Sequence, residues 1–173
     1  MNLYQTSRGR EAIYLALKAI ALKKKKYVLV QAFTCSAVPE AIISAGFIPI
    51  WVDIEMETFS FNLNRYTSEI DSKFIDISAI IIQHTFGLIP KHYEEILKIS
   101  DTYRIPVIED RCHCNFIIDY DLLFQNSSTK KIAFCYSFEN GKPIKLGRGG
   151  ALIINNYPDN ILKILDQNML NSR

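Results

Sequence analysis

Short apolar segments typical of β-strands alternate along this chain with amphipathic segments typical of helices, and this alternation limits the possible folds. The pattern predicts strands over residues 27–30, 47–52, 78–83, 105–109, 132–137 and 151–155. It predicts helices over residues 8–22, 36–45 and 91–104, with a further helix opening at Pro158. Strands that alternate with helices form βαβ units, in which successive strands are parallel. The sequence therefore predicts an α/β fold built on a mostly parallel sheet.

Length and charge point to one ordinary globular domain. The chain has 173 residues, of which 49% are hydrophobic, and no internal repeat or linker interrupts it. This is enough apolar material for one sizeable core. The net charge of +2 argues against a nucleic-acid or membrane partner held by bulk electrostatics. The one basic run, residues 23–26, is interpreted as a solvated helix end.

The four cysteines, Cys35, Cys112, Cys114 and Cys135, are expected to be free thiols. Met1 leads directly into polar sequence without a signal peptide, and no apolar run approaches the ~20 residues that span a bilayer. We therefore expect a cytoplasmic protein. The cluster Cys112-His113-Cys114 does not have a zinc-site spacing, so we expect no metal.

Polar residues follow several of the predicted strands, and parallel sheets bind ligands at the carboxyl ends of their strands. The residues at these ends are Asp53, His84, Asp110 and Ser137. His84 is either a structural or a catalytic residue. Asp110 either caps the next turn or pairs with a ligand cation.

Two further segments carry candidate chemistry. Residues 6–12 form a strand-to-helix turn that is either an ordinary helix start, with Ser7 as N-cap, or a phosphate site made by backbone N–H groups. Lys142 lies in a loop directly after a core strand. It is either a surface lysine, a charge partner for a phosphate or an amine that forms an imine.

The order and spacing of these segments resemble a known family. The chain contains His84-Thr85-Phe86-Gly87, then Glu109-Asp110-Arg111-Cys112-His113, and finally Ser-Phe-Glu-Asn-Gly-Lys at residues 137–142, with Gly-Arg-Gly-Gly at residues 147–150. Residues 32–34 and 45–53 add two weaker matches. Together they resemble the DegT/StrS family of pyridoxal-phosphate (PLP) sugar aminotransferases, which have the fold-type-I architecture. The resemblance implies a three-layer α/β/α sandwich with a mixed, mostly parallel sheet, in which strand 151–155 is antiparallel.

The resemblance also implies roles for individual residues. Lys142 occupies the position of the lysine that binds PLP as an imine, and Asp110 that of the acid beneath the ring nitrogen. His113 falls near the position of the ring hydroxyl. Ser137 and the backbone of Gly9 and Arg10 match the phosphate ligands.

This chain departs from the family pattern at four positions. Arg111 and Cys112 replace small residues, and Arg148 replaces a frequent acid. Cys35 replaces an aromatic residue that covers the ring, so Phe33 or His84 would have to cover it instead. These departures bear on the substrate more than on the cofactor.

The implied function is transfer of an amino group from an amino acid, with glutamate as the expected donor, to a nucleotide-linked keto sugar. The family also carries a second, smaller domain, so residues 1–173 are expected to be a single PLP-binding large domain that lacks it. A homodimer, or pairing with a chain that supplies the missing half, is the expected assembly. Two alternatives stay open: an inactive fragment that binds PLP or a partner chain, and a PLP enzyme of another reaction type.

Overall fold

The computed structural model describes residues 2–22, 24–73, 75–114 and 132–154 as alternating strands and helices. The strands are β1 (Asn2–Thr6), β2 (Tyr27–Gln31), β3 (Ile48–Val52), β4 (Ile77–Gln83), β5 (Val107–Asp110), β6 (Ile132–Ser137) and β7 (Gly150–Ile154). The α-helices are α1 (Gly9–Ile20), α2 (Ala37–Ser44), α3 (Leu63–Lys73) and α4 (Tyr93–Thr102), and a short 3₁₀ turn covers Thr85–Gly87.

These strands form one mixed sheet in the order β1-β7-β6-β5-β4-β2-β3. The five strands from β6 to β3 are parallel, and β7 runs antiparallel to both β6 and β1. The predicted α/β class, the mostly parallel sheet and the antiparallel direction of β7 are thereby confirmed. Residue 155 and the helix predicted from Pro158 lie outside the described residues.

Helices cover both faces of the sheet, which confirms the three-layer prediction. Successive side chains of a strand point to opposite faces, so each strand contributes to two cores. On one face, strand residues such as Val30 and Ile108 pack with Ile13 and Leu17 of α1. On the other face, strand residues pack with α3 and α4 through residues that include Tyr66 and Ile96.

Helix α3 is the one described helix that the sequence analysis missed. Only Tyr66 and Ile70 of its residues are buried, so its apolar stripe is a single i, i+4 pair in a polar segment. The Tyr66 hydroxyl lies 2.7 Å from Oγ of Ser100 in α4. Tertiary contact across the layer therefore stabilises a helix whose own periodicity is weak.

The carboxyl ends of the parallel strands share one edge of the sheet with the end of β1 and the start of β7. Along this edge the strand order reverses between β2 and β4, because β3 lies on one side of β2 and β4 on the other. Such reversals form ligand crevices in α/β sheets. No helix among the described residues has the length and apolar character that a bilayer crossing requires.

Candidate active site

Asp110 and Ser137 end two adjacent strands at this edge. β5 and β6 pair in parallel with Asp110 opposite Cys135. Ile108 packs on the α1 face, and strand alternation places the Asp110 side chain on that face too. Asp110 is only 4% exposed, and its Oδ1 accepts the Cys112 N–H at 3.1 Å. A buried carboxylate thus lies at the carboxyl edge, on the side of the α1 start.

The start of α1 contacts these strand ends closely enough to require glycine. A Cβ at Gly9 would lie 2.8 Å from both Cys112 Sγ and Ser137 Cβ, and 3.3 Å from Ser137 Oγ. Helix starts carry N–H groups with no partner inside the helix, and these bind anions. The Arg10 side chain forms an ion pair with Glu40, with Nη1 2.5 Å from Oε2. Arg10 is therefore a candidate through its backbone N–H, together with the Ser137 hydroxyl.

Lys142 lies in a turn that the strand ends hold in place. Its backbone N–H bonds to the Glu139 carbonyl at 2.9 Å, and the Phe138 N–H bonds to the Gly149 carbonyl at 2.9 Å. The lysine is half-buried. In the described part of the chain its amine forms no ion pair. The amine is thus available for another partner.

The Cys112 N–H bond ties Asp110 to the segment that carries His113, and the Lys142 charge acts on both Cys112 and His113. Burial lowers the pKa of His113, the Lys142 ammonium lowers it further, and Asp110 partly offsets both. Burial also raises the pKa of Cys112 well above its usual value, as does Asp110 through its charge and hydrogen bond, while Lys142 opposes this. The structure therefore brings the predicted residues Lys142, Asp110 and His113 to one end of the sheet, where Cys112 and Ser137 approach Gly9.

The ring orientation of His113 is fixed by Phe86. The Phe86 N–H donates to His113 Nδ1 at 3.1 Å, so Nδ1 is an acceptor and the neutral ring carries its proton on Nε2. The Phe86 and His113 rings are stacked with centroids 6.0 Å apart and an interplanar angle of 5°. Nε2–H is thus a hydrogen-bond donor with a defined direction.

Phe33, Phe59 and Phe86 form an aromatic cluster beside His113, each contributed by a different loop. Their ring centroids are 5.3–6.3 Å apart. Phe59 and Phe86 have φ values of 53° and 55°, in the left-handed region that bulky residues rarely adopt. Gln31 helps to hold these loops, because its Nε2 donates to the Phe59 carbonyl at 2.7 Å and to Thr85 Oγ1 at 2.8 Å. Phe33 therefore contacts Phe86, and Phe86 in turn stacks on His113.

The structure does not bring His84 to this group. Its Nε2 lies 2.9 Å from Glu109 Oε2, its ring packs edge-on against Tyr93 of α4 at 5.8 Å, and it is 3% exposed. Glu109 and Tyr93 belong to the α4 face, whereas Asp110 points to the α1 face. His84 therefore lies with Glu109 and Tyr93, whereas Phe33 lies with the aromatic cluster beside His113.

A buried charge network around Glu109 escaped the sequence analysis. Glu109 Oε2 accepts from Arg111 Nε at 2.8 Å and Nη2 at 2.7 Å, and Oε1 accepts from the Tyr93 hydroxyl at 2.6 Å. Burial opposes ionisation of Glu109, but the bond from His84 and the Arg111 charge prevail and lower its pKa. The Arg111 guanidinium carbon lies 4.4 Å from the Phe134 ring centroid. The sequence signal was two opposite charges spaced i, i+2, of which Glu109 lies in β5 and Arg111 directly follows its end.

Comparison with known proteins identifies the family of this chain. The sequence model of the DegT/DnrJ/EryC1/StrS aminotransferase family matches residues 3–165. The chain belongs to this family. The predicted resemblance is thereby confirmed, over nearly the full sequence.

Individual relatives within the DegT/StrS family act on sugars. GDP-perosamine synthase of Escherichia coli O157:H7 is 30% identical over 152 residues, which are 86% of this chain and 39% of that protein. The 3-oxo-glucose-6-phosphate:glutamate aminotransferase of Bacillus subtilis is 33% identical over 111 residues, which are 62% of this chain and 23% of that protein. The chain thus spans less than half the length of these relatives.

Solved DegT/StrS structures share the fold. NtdA of Bacillus subtilis, with bound cofactor PMP, superposes with a TM-score of 0.74 at 26% identity, covering 91% of this chain and 34% of that one. A DegT/DnrJ/EryC1/StrS aminotransferase from Brucella abortus gives a TM-score of 0.76 at 21% identity, covering 96% of this chain and 44% of that one. Both alignments cover nearly all of this chain.

Proposed function

We propose that this chain binds PLP through Lys142 and contributes to amino transfer from an amino acid to a nucleotide-linked keto sugar. The observation that carries the proposal is that Asp110, His113 and Lys142 follow β5 and β6 at the end of the sheet where Gly9 opens α1 against Cys112 and Ser137. An amine, a carboxylate, a hydrogen-bond donor and a helix start are the groups that PLP needs.

The residues present fit the cofactor from end to end. The contact between Gly9 and Ser137, which a Cβ would fill, leaves backbone N–H groups and the Ser137 hydroxyl for the phosphate. Asp110 is a buried acceptor suited to a protonated ring nitrogen. Nε2–H of His113 is a donor suited to the ring hydroxyl. Lys142 supplies the amine.

PLP, when bound, supplies an electron sink for the carbanion that forms at the substrate carbon. The side chains of this chain have separate tasks. Asp110 holds the ring-nitrogen proton through its carboxylate, while Lys142 Nζ accepts and returns the proton that moves at the substrate carbon. The aromatic cluster of Phe33, Phe59 and Phe86 supplies an apolar wall on one side of the site.

The substrate assignment follows from the relatives. GDP-perosamine synthase and a UDP-N-acetyl-3-dehydro-α-D-glucosamine 3-aminotransferase act on nucleotide-linked sugars, and the Bacillus subtilis relative is named for glutamate as donor. A keto sugar as acceptor and glutamate as donor are therefore the pair that this family membership supports best.

Two other functions are compatible with the same site. A PLP enzyme of another reaction type would use the same Lys142 and Asp110. An inactive chain that binds PLP, or a partner chain, would keep the cofactor contacts without turnover. Phe86 of the aromatic cluster is 63% exposed and Ile89, three residues further along the chain, is 69% exposed. Such exposed apolar side chains favour a covering surface from a second copy or from a chain that carries the rest of the relatives' length.

Absorbance spectroscopy separates amino transfer from inactive PLP binding. The chain is mixed with PLP and then with L-glutamate, alone and after coexpression with the coding sequence that follows it. An imine absorbance that L-glutamate discharges supports amino transfer, with Lys142→Met as the colourless control. An imine that no amino acid discharges, in either preparation, favours the inactive binder. A parent protein that develops no imine absorbance with excess PLP overturns the proposal.

A further inference from the structure

A wide-open cationic cavity lies beside the Lys142 loop, on the side away from the aromatic cluster. The cavity measures about 410 Å³ and is lined by Arg8, Glu139, Asn140, Gly141, Gly147 and Arg148. Small-molecule sites in proteins are roughly 300–1,000 Å³ in size. None of the groups assigned above to the cofactor lines this cavity.

Two arginines dominate its charge. Arg8 and Arg148 are both exposed, and neither takes part in an ion pair within the described part of the chain. Glu139 is the one acid among the lining residues, so the lining carries a net positive charge. Guanidinium groups present paired N–H donors that match the oxygens of a carboxylate or a phosphate.

The backbone holds the two arginines next to each other. Arg8 forms an isolated β-bridge with Gly149, the residue after Arg148. The Arg8 carbonyl accepts from Thr6 Oγ1 at 3.0 Å and from the Glu11 N–H at 3.1 Å, which fixes the turn into α1. Gly147 and Gly149 have φ values of 84° and 125°, and these turn the chain so that Arg148 lines the cavity.

The position of the cavity relates it to Lys142. Gly141 lines the cavity and directly precedes Lys142, and the Lys142 N–H bonds to the carbonyl of Glu139, another lining residue. At the carboxyl edge, β1 and β7 lie on one side of β6 and β5 on the other. A ligand could therefore place an anionic group against Arg8 and Arg148 while its reacting carbon lies near Lys142.

We propose that Arg8 and Arg148 form an anion site that holds the charged remote group of a substrate whose reacting carbon meets Lys142. The group is a carboxylate or a phosphate, which an amino-acid donor and a nucleotide-linked acceptor respectively would supply. The anion site rests on the cavity itself, and only its assignment to a substrate rests on the function proposed above.

Calorimetric titration of the 173-residue chain, saturated with PLP, tests the site directly. The probes are glutarate, for the donor's carboxylates, and inorganic pyrophosphate, for the acceptor's diphosphate. Arg148→Glu is expected to weaken binding of the preferred probe by about tenfold or more, since it replaces attraction with repulsion. Arg8→Ser should weaken it as well. Arg65→Gln, an exposed change on α3, should leave it unaltered.

The results show which substrate supplies the anionic group, and they distinguish failure of the anion site from failure of the proposed function. Stronger binding of glutarate assigns the site to the donor, and stronger binding of pyrophosphate assigns it to the acceptor. Each probe should also protect Arg8 and Arg148 from phenylglyoxal, as mapped by peptide mass. Equal affinities in parent, Arg148→Glu and Arg8→Ser, or no binding at all, would overturn the anion site. If these variants lose affinity for PLP, the anion site is part of the cofactor site and the proposal is overturned. If the parent protein shows no imine absorbance, only the proposed function is overturned.

Discussion

The backbone N–H of Phe86 donates a hydrogen bond to Nδ1 of His113, and the two rings stack within 5° of parallel. This contact joins the loop after β4 to the loop after β5. It also couples the aromatic cluster to the cluster of Lys142, Asp110 and His113. The proton on Nε2 of His113, and the direction in which it can be donated, follow from a backbone group that no substitution at residue 86 except proline removes.

We predict that removing the Lys142 charge raises the pKa of His113. Burial and the Lys142 ammonium together hold this pKa below its ordinary value. In Lys142→Met only the burial effect and the opposing effect of Asp110 are left, so the His113 pKa should move upward. Imidazole ¹⁵N NMR over a pH titration of the cofactor-free protein measures it. Lys145→Met, a change in the same loop, is the control, and an equal His113 pKa in parent and Lys142→Met would contradict the proximity of the two groups.

Gly9→Ala should destabilise the protein and weaken PLP binding. The new Cβ would lie 2.8 Å from Cys112 Sγ and from Ser137 Cβ, so the helix start must move away from β6. Overpacking of this kind costs about 1–3 kcal/mol of unfolding free energy, measured by urea denaturation. Gly141→Ala is the matched control, because a Cβ there meets nothing within 4 Å. Equal unfolding free energies for the two variants would refute the close contact.

Breaking the buried pair of Glu109 and Arg111 should be costly, and the cost should not be additive. Glu109→Gln leaves the Arg111 guanidinium buried beside a neutral partner, and such losses cost about 3–5 kcal/mol. Arg111→Met should cost less, because the His84 and Tyr93 bonds to Glu109 persist. The double variant should lose less than the sum of the single losses. Additive losses, from urea denaturation, would show that the pair is not coupled.

The same network sets an acid limit on stability. The folded pKa of Glu109 lies below its unfolded value, which is about 4.3. Its contribution is therefore complete above that unfolded value and is lost as the pH falls towards the folded pKa. In Glu109→Gln, the unfolding free energy should therefore fall less steeply with decreasing pH than in the parent. Urea denaturation of both proteins from neutral pH downward measures the difference.

Asp110→Asn should weaken PLP binding by about tenfold or more, because a hydrogen bond to a charged group is worth roughly 1.5–3 kcal/mol. The fold should persist, since the asparagine Oδ1 can still accept the Cys112 N–H that Asp110 Oδ1 accepts. Asp53→Asn, after β3, is the control. Fluorescence titration with PLP measures both affinities. If Asp110→Asn binds PLP as tightly as Asp53→Asn does, the role of Asp110 is wrong.

Much of the fold could be predicted from the periodicity of apolar residues. The elements that this prediction missed have physical causes. The strand at residues 132–137 was predicted with its observed bounds, because a short apolar run between polar segments gives a strong signal. Helix α3 was missed because its burial depends on partners across the layer, such as Ser100 for Tyr66. Helix ends differed by one or two residues from their predicted bounds, as fraying termini do.

The candidate site, like the fold, could be predicted only in part. The order of motifs pointed to Lys142, Asp110 and His113, and the structure brings these together. The role of His84 in covering the cofactor ring stays a prediction. Its contact with Glu109 could not be predicted, because the sequence does not reveal which face of the sheet receives a side chain beyond the end of its strand. The aromatic cluster and the β-bridge between Arg8 and Gly149 are long-range contacts with no local signature.

The central claim, that Lys142 holds PLP, is tested most directly by borohydride reduction of the PLP-treated chain followed by peptide mass mapping. The phosphopyridoxyl group should be found on Lys142, at near-stoichiometric level in the parent and in Lys145→Met, and it should be absent from Lys142→Met. An adduct on Lys145, or no adduct with PLP in excess, would contradict the account.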